Sequence, residues 1–309
     1  MCITATGKGR CTVNRLQEPE KNHPGRRRMK VFGERNTATR AVSMMLQNLK
    51  SVTLAVPRKD FPDLDAIEEK VFQYPNHMRK ALWLDALNGE RFSRLGAVSD
   101  WKHAAPRIDD SYQQVGASVI FLVRNPYSWI WSFSQRRYHS RTPWHPDFRA
   151  FIDQPWMCLK QDNVGPFVTS PMHLWNKKLL CYQRFKESNC APNVVVRFEE
   201  FVQEPVETLC EALNTFEIPS EDLVALREGT KTGKTGGEIR TDFFRSEGWR
   251  KYFSRSTVEL VNDTVDWNVA QMFGYEKLDP KDFPAEPECE IVDKIASDRP
   301  YSKWEKPIV

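Results

Sequence analysis

The hydrophobic positions of the chain fall into short runs that alternate with helical patterns. Short or β-branched runs predict strands at residues 30–32, 52–56, 95–99, 117–123 and 193–197. The run at 117–123 is the most apolar, and a turn follows it, which is typical of a strand buried on both faces of a parallel sheet. Apolar residues at helical spacing predict helices at 42–49, 64–74, 78–88, 172–187, 206–216, 220–228 and 256–273. This alternation predicts an α/β fold with three α/β/α layers around a central parallel sheet.

The first predicted strand passes into its helix through a short polar loop. Gly33 lies two residues before a run of Arg35, Asn36, Thr37, Ala38, Thr39 and Arg40, in which hydroxylated and small residues stand between two arginines. A strand, a tight loop and a helix in this order direct backbone N–H groups and the positive end of a helix dipole at one point, where phosphate binds. Hydroxyl and guanidinium donors strengthen such a site. An ordinary strand–helix junction with a polar turn accounts for the same residues equally well.

A second junction of the same kind follows the strand at 117–123. Arg124 ends that strand, and Pro126 suits the first position of the next helix. Ser128 and Ser132 lie one helical turn apart on that helix, and Arg136 follows. Because the carboxyl ends of parallel strands meet at one edge of a sheet, the two junctions together predict a site for a large anionic ligand.

Taken in chain order, several segments resemble those of PAPS-dependent sulfotransferases, where PAPS is 3′-phosphoadenosine 5′-phosphosulfate. The loop after the first strand is similar to the 5′-phosphosulfate loop of that family. Arg124 and Ser132, eight residues later, have the spacing of its 3′-phosphate motif. Residues 102–106 resemble its Lys-Thr-His-Leu-Pro segment, with one residue fewer between lysine and histidine. Residues 194–200 and 244–253 resemble its Tyr-Glu-Asp marker and its closing Arg-Lys-Gly segment.

The resemblance implies a P-loop-NTPase-like sulfotransferase fold and transfer of a sulfuryl group from PAPS to a small-molecule hydroxyl or amine. The acceptor would be a natural product or a saccharide, PAP would be the second product, and no metal is implied. His103 would be the base, and Lys102 and Arg35 would stabilise the leaving oxygen. The donor-binding residues that it implies are Gly33, Arg35, Asn36, Thr37, Ala38, Thr39, Arg40, Arg124, Ser132, Phe198 (on adenine) and Arg245.

The chain departs from the pattern of that family in its first loop. Ala38 stands where a glycine is usual, so we expect the backbone there to avoid the left-handed region. The usual loop lysine is replaced by Arg35 or, with a shift of one residue, by Asn36. Two alternatives therefore stay open. A P-loop kinase of small molecules would need a Walker lysine and a carboxylate for Mg²⁺. A nucleotide-binding relative without activity would need neither.

Residues 229–235 contain a second glycine-rich segment that resembles a Walker A motif, but its glycines are one residue too close together. Gly236 and Gly237 follow where a helix would have to start, which favours a flexible basic loop or a lid. Residues 138–171 have little periodicity and suit a substrate-facing insertion or an ordinary long loop. Aromatic residues at 129, 131, 144 and 156 would line an acceptor pocket or belong to the core.

Composition limits the remaining classes of function. A net charge of +4 over 309 residues is too balanced for a general nucleic-acid binder. No window has the length of a membrane span, and seven scattered cysteines without CxxC spacing predict reduced thiols in a cytoplasmic protein. We expect a disordered basic leader at 1–28, one domain at 29–276 and an extended tail at 277–309 packed on it. The predicted partner is a small-molecule acceptor, without nucleic acid or membrane, and a homodimer stays open.

Overall fold

A computed structural model describes residues 26–55, 61–137, 140–226 and 236–292 of the chain. Its strands are β1 (Arg27–Gly33), β2 (Val52–Leu54), β3 (Ala117–Val123), β4 (Trp156–Met157), β5 (Phe167–Val168) and β6 (Asn193–Arg197). Within these residues, four strands form a parallel sheet in the order β2-β1-β3-β6, and β4 pairs with β5 in a small antiparallel sheet. The fold is therefore α/β with a central parallel sheet, as predicted.

Helices cover both faces of the central sheet. Because side chains alternate along a strand, Phe32 and Phe121 enter one buried cluster, whereas Val31, Ile120 and Leu122 enter another. The helices in the described residues are α1 (Thr39–Gln47), α2 (Pro62–Phe72), α3 (His77–Ser93), α4 (Ser111–Val115), α5 (Pro126–Gln135), α6 (Phe148–Asp153), α7 (Pro171–Ser188), α8 (Phe198–Gln203), α9 (Pro205–Asn214), α10 (Gly236–Arg245), α11 (Arg255–Thr264) and α12 (Trp267–Gln271). The first cluster includes side chains of α5 and α7, and the second includes side chains of α1 and α9. No described helix has the length and apolar content that crossing a bilayer requires.

The strongest hydrophobic patterns predicted their elements closely. The strand expected at 117–123 is β3 (Ala117–Val123), and the strand expected at 193–197 is β6 (Asn193–Arg197). β3 lies between β1 and β6, so both of its edges are paired. This position is why its sequence is apolar on both faces.

The prediction of a strand at residues 95–99 is wrong, because the chain forms a 3₁₀ turn there at Ala97–Ser99. The N–H groups of Ala97 and Val98 donate to the side chains of Asp109 and Ser111, at 2.9 Å each, and not to a neighbouring strand. Gly96 packs so closely on Ser111 that a Cβ at position 96 would lie 2.5 Å from the Ser111 Cβ. Side-chain acceptors therefore bind the N–H groups that a β-strand would have paired with a neighbouring strand.

Two predicted helices differ in the structure. Residues 220–226 are not helical, and the rest of the helix expected at 220–228 lies outside the described residues. The helix expected at 256–273 is two helices, α11 and α12, because Asp266 accepts from the N–H groups of Asn268 and Val269 and starts a new helix. Ser254, and not Ser256, caps α11.

The predicted boundaries of leader and tail also shift. β1 begins at Arg27, so the last two residues of the expected leader belong to the sheet, whereas residues 1–25 lie outside the described ones. In the described part of the tail, Phe283 and Ile291 are buried in the main cluster. The Walker-like segment at 229–235 lies outside the described residues, but α10 does begin at Gly236, against the expectation from the two glycines.

Candidate functional site

The two strand–helix junctions meet at one edge of the sheet. Gly33 at the end of β1 stands beside Leu122 near the end of β3. Across the gap, the Arg124 guanidinium donates through Nη1 to the carbonyl oxygen of Asn36 at 2.6 Å. The Trp129 indole on α5 donates to the carbonyl oxygen of Arg35 at 2.9 Å. The loop that we call the anion loop, residues 33–40, is therefore attached directly to the second junction.

The anion loop turns through two left-handed residues, Asn36 at φ 66° and Ala38 at φ 64°. The expectation that Ala38 avoids the left-handed region is thus wrong. The chain has to reverse between β1 and α1 within a few residues, and this requirement outweighs the preference of alanine. The Thr37 hydroxyl donates to the Glu34 carbonyl at 2.6 Å, which further tightens the turn. Left-handed residues at such positions turn backbone N–H groups towards one point.

The N-terminus of α1 carries no side-chain cap and no acidic residue in its first turn. Ala38 occupies the N-cap position, where serine, threonine, aspartate and asparagine are usual because their side chains accept from backbone N–H groups. The N-terminus of α5 differs, since the Asn125 side chain accepts from the N–H groups of Tyr127 and Ser128. Of these two helix N-termini, that of α1 lacks a side-chain cap and that of α5 has one.

Ala38→Gly is expected to raise the free energy of unfolding by about 0.5–1 kcal/mol, because glycine adopts the left-handed region without the cost that alanine bears there. Urea unfolding measures this change. Gly116→Ala is the matched control, since Gly116 also lies at φ 61° and a Cβ there would meet nothing within 4 Å. That substitution should lower stability by a similar amount. A destabilised Ala38→Gly variant would mean that the loop does not adopt this conformation.

Arg35, which the resemblance placed at the leaving oxygen, is buried and bound to carboxylates of the protein itself. Its guanidinium is 2% exposed and forms a two-pronged ion pair with Asp162, at 3.1 and 3.0 Å. It also pairs with Glu34 at 2.7 Å and lies 4.9 Å from the Trp101 ring centroid. Such bidentate arginine–carboxylate pairs are strong and fix geometry. Arg35 therefore holds the anion loop in place from within the protein.

Lys178 on α7 completes this group, which we call the buried quartet: Glu34, Arg35, Asp162 and Lys178. The Lys178 ammonium group lies 3.0 Å from Asp162 Oδ1 and 3.3 Å from Glu34 Oε2. Burial raises the pKa of Asp162, but the charges of Arg35 and Lys178 outweigh it, so that this pKa lies below its ordinary value. Sequence reasoning identified neither Asp162 nor Lys178, because neither belongs to a recognisable motif.

His103 lies beside the first residue of the anion loop. Its Nδ1 is 2.7 Å from the Gly33 carbonyl oxygen, and a carbonyl can only accept, so Nδ1 carries the proton. In the neutral ring Nε2 is then the basic nitrogen. The Trp101 ring meets the imidazole edge-on, with centroids 4.8 Å apart. This arrangement fixes the ring and its tautomer, as a general base requires.

Lys102 is half-buried next to His103 and approaches the loop on the same side. Its carbonyl oxygen accepts from the Gly33 N–H at 2.9 Å. Burial lowers the pKa of Lys102, and the positive charge of the exposed Arg40 lowers it further. The two cations therefore lie near enough to interact, and an anion between them would be favourable for both. Lys102, which the resemblance placed at the leaving oxygen, thus lies close to Arg40 of the anion loop.

Arg124 is 1% exposed and is held from three sides. Its Nε donates to the Ser128 hydroxyl at 2.7 Å, and its guanidinium carbon lies 3.9 Å from the Phe198 ring centroid and 4.4 Å from that of Phe244. Phe198, which the resemblance placed on adenine, is buried and presents a ring face to Arg124 in a cation–π contact.

The other residues predicted for the 3′-phosphate lie in different places. The Ser132 hydroxyl on α5 is buried and has no hydrogen-bond partner among the described residues. Arg245 instead donates to the carbonyl oxygens of Val202 and Gln203, at 3.1 and 2.7 Å, and so caps the C-terminus of α8. The contact with Arg124 is made by its neighbour Phe244. Thr39, the next-to-last residue of the anion loop, is buried at the start of α1.

The aromatic residues considered for an acceptor pocket belong mainly to the core. Trp129, Trp131 and Trp156 are buried, and the half-buried Trp144 donates to the Ser134 carbonyl at 3.0 Å. In the part of the chain that the structure describes, no group of three or more His, Cys, Asp or Glu side chains is arranged to hold a metal ion.

Two comparisons with known proteins bear on this site. No protein-family model matches the chain, and a search among curated proteins found no matching relative.

Proposed function

We propose that the chain is a PAPS-dependent sulfotransferase that moves a sulfuryl group to a hydroxyl or amine of a small molecule. The observation that carries this proposal is the bond between His103 Nδ1 and the carbonyl oxygen of Gly33. It joins a base with a fixed tautomer to the first residue of a loop that is shaped to bind an anion. Sulfuryl transfer needs these two parts side by side, because the acceptor loses a proton while negative charge builds on the leaving phosphate.

The residues present fit an ester of adenosine with an anionic group at each end. The uncapped α1 N-terminus and the left-handed turns at Asn36 and Ala38 suit the 5′-phosphosulfate. Arg124 and the buried Ser132 hydroxyl suit the 3′-phosphate, since a buried hydroxyl without a partner costs free energy until a ligand bonds to it. A P-loop kinase has less support, because Arg35 or, with a shift of one residue, Asn36 stands where its loop would carry the Walker lysine.

In the proposed reaction the acceptor oxygen or nitrogen attacks the sulfur of PAPS. The S–O bond to the 5′-phosphate breaks, its electron pair leaves with PAP, and the acceptor proton passes to His103 Nε2. Lys102, Arg40 and the N–H groups at the start of α1 stabilise the charge that builds on the leaving oxygen. Arg35 takes no direct part and keeps the loop in shape through Asp162.

Two measurements test the proposal. Thermal-shift assays should show stabilisation by 3′,5′-ADP (PAP) and none by ATP with Mg²⁺, because only the former carries a 3′-phosphate. Incubation with ³⁵S-labelled PAPS and a panel of phenols, alcohols, amines and saccharides should then transfer label to at least one acceptor, with a mass gain of one SO₃ unit. Stabilisation by ATP–Mg²⁺ alone would favour the kinase. PAP binding without turnover on any acceptor would favour the inactive relative.

Arg124→Lys is expected to weaken PAP binding by about 10–100-fold, since charge-assisted hydrogen bonds contribute roughly 1.5–3 kcal/mol and lysine lacks the guanidinium fork. Isothermal titration calorimetry measures the affinity. The matched control is Arg245→Lys, because Arg245 binds the α8 carbonyls. It should leave PAP affinity unchanged. Equal affinities for both variants and the wild type would contradict the role of Arg124 at the 3′-phosphate.

A further inference from the structure

Lys178 lies outside every segment used so far in the reaction, yet it contacts two of them. Its side chain is 0% exposed, in the middle of α7. The ammonium group donates to the carbonyl oxygen of His103 and to Asp162 Oδ1, and it pairs with Glu34 Oε2. An ammonium group has three N–H donors, and here three oxygens from three different segments surround it.

These contacts close a ring of bonds around His103. The imidazole donates through Nδ1 to the Gly33 carbonyl. The backbone carbonyl of His103 accepts from Lys178, whose ammonium group forms an ion pair with Glu34, the next residue of the anion loop. His103 is thus attached to the loop at its side chain and at its backbone. Turning the ring would break the bond from Nδ1 to Gly33, and shifting the backbone would break the bond from Lys178.

We propose that Lys178 is the positioning residue of the candidate site, which holds the His103 backbone against the anion loop so that Nδ1 stays bonded to Gly33 and Nε2 stays the basic nitrogen. This inference rests on the proposed function and deepens it. It assigns to a buried α7 lysine the control of the base, a role distinct from balancing the charges of the buried quartet.

A pair of variants distinguishes the positioning of His103 from the balancing of charge in the buried quartet. Lys178→Met removes the ammonium group and leaves two carboxylates opposite one guanidinium. Adding Glu34→Gln restores neutrality, because the amide keeps one oxygen to accept from Arg35 while its uncharged NH₂ group replaces Oε2, the atom that faces Lys178. The Arg35–Asp162 pair is untouched in both variants. The control is Lys177→Met, since Lys177 is exposed on the same helix and its ammonium group donates to the carbonyl oxygen of Val164, which is not a member of the buried quartet.

The experiment measures thermal stability, the His103 tautomer by ¹⁵N NMR of histidine-labelled protein, and kcat and KM with PAPS. We expect Lys178→Met to lower stability and Lys178→Met/Glu34→Gln to recover most of it. The double variant should still show a mixed His103 tautomer and a kcat at least about tenfold below wild type, with KM for PAPS unchanged. The Lys177→Met variant should match wild type in every measurement.

Recovery of the single Nδ1–H tautomer together with stability would overturn the inference, because Lys178 would then act through charge alone. The NMR readout does not depend on turnover. If the wild type transfers no sulfuryl group, the proposed function fails, whereas the tautomer of the double variant still decides whether Lys178 positions His103.

Discussion

His103→Gln is expected to lower kcat by about 10²–10⁴-fold, the usual range for loss of a general base, while PAP affinity stays near that of wild type. The glutamine side chain is uncharged and keeps an amide N–H donor, but no basic nitrogen replaces Nε2. In the proposed reaction the imidazole removes a proton only as the acceptor attacks, so we expect its loss to lower kcat and not donor binding. Turnover of labelled PAPS and calorimetry with PAP measure the two quantities.

The control for this variant is His173→Gln. His173 is exposed on α7, where its ring bonds to the hydroxyls of Thr169 and Ser170. We expect it to keep wild-type turnover. A His103→Gln variant that retains kcat within a few-fold would remove the base assignment, and parallel losses of turnover and PAP affinity would assign His103 to donor binding.

The arrangement of the site was predictable from sequence as far as it follows from sheet topology. The run at 117–123 was predicted to be a buried strand, and parallel pairing then brought Arg124 to the loop after β1. The neighbourhood of His103 and Gly33 was implied by the resemblance alone, because the segment before His103 is a 3₁₀ turn and not the strand that the apolar run at 95–99 suggested.

The parts that sequence could not predict depend on distant residues. The partner of Arg35 is Asp162, 127 positions away in a stretch without periodicity, so nothing local distinguished an arginine aimed at a ligand from one bound to a carboxylate. The surroundings of Lys30 also depend on a residue that is distant in the sequence, Asp100. Lys30 lies in an apolar strand pattern and is buried, and its ammonium group donates to the Asp100 carbonyl. Burial lowers the pKa of Lys30 to about 7. The prediction for the Ala38 backbone was wrong for a different reason. Closing the loop outweighed the local preference of alanine against the left-handed region.

Asp162→Ala is expected to lower the free energy of unfolding by about 3–5 kcal/mol, the range for removing one partner of a buried ion pair. The substitution leaves Glu34 as the one carboxylate of the buried quartet for two cations, Arg35 and Lys178. It also removes the acceptor of the Leu159 N–H. Urea unfolding at pH 7 measures the loss. Asp63→Ala is the contrast, because Asp63 pairs with Arg94 at 2.6 Å but its side chain is 58% exposed. Such surface pairs contribute no more than about 1 kcal/mol.

The pH dependence of the free energy of unfolding distinguishes the contribution of the Asp162 charge from that of its packing. Because its folded-state pKa lies below the unfolded value of about 3.9, its contribution is fully present above that pH and is lost as pH falls through the folded-state value. The difference in stability between wild type and Asp162→Asn should therefore be constant from pH 7 to about pH 5 and shrink in stronger acid. If the two proteins differ equally at every pH, Asp162 stabilises the loop through its shape and not its charge, and the buried quartet is not the electrostatic anchor of the anion loop.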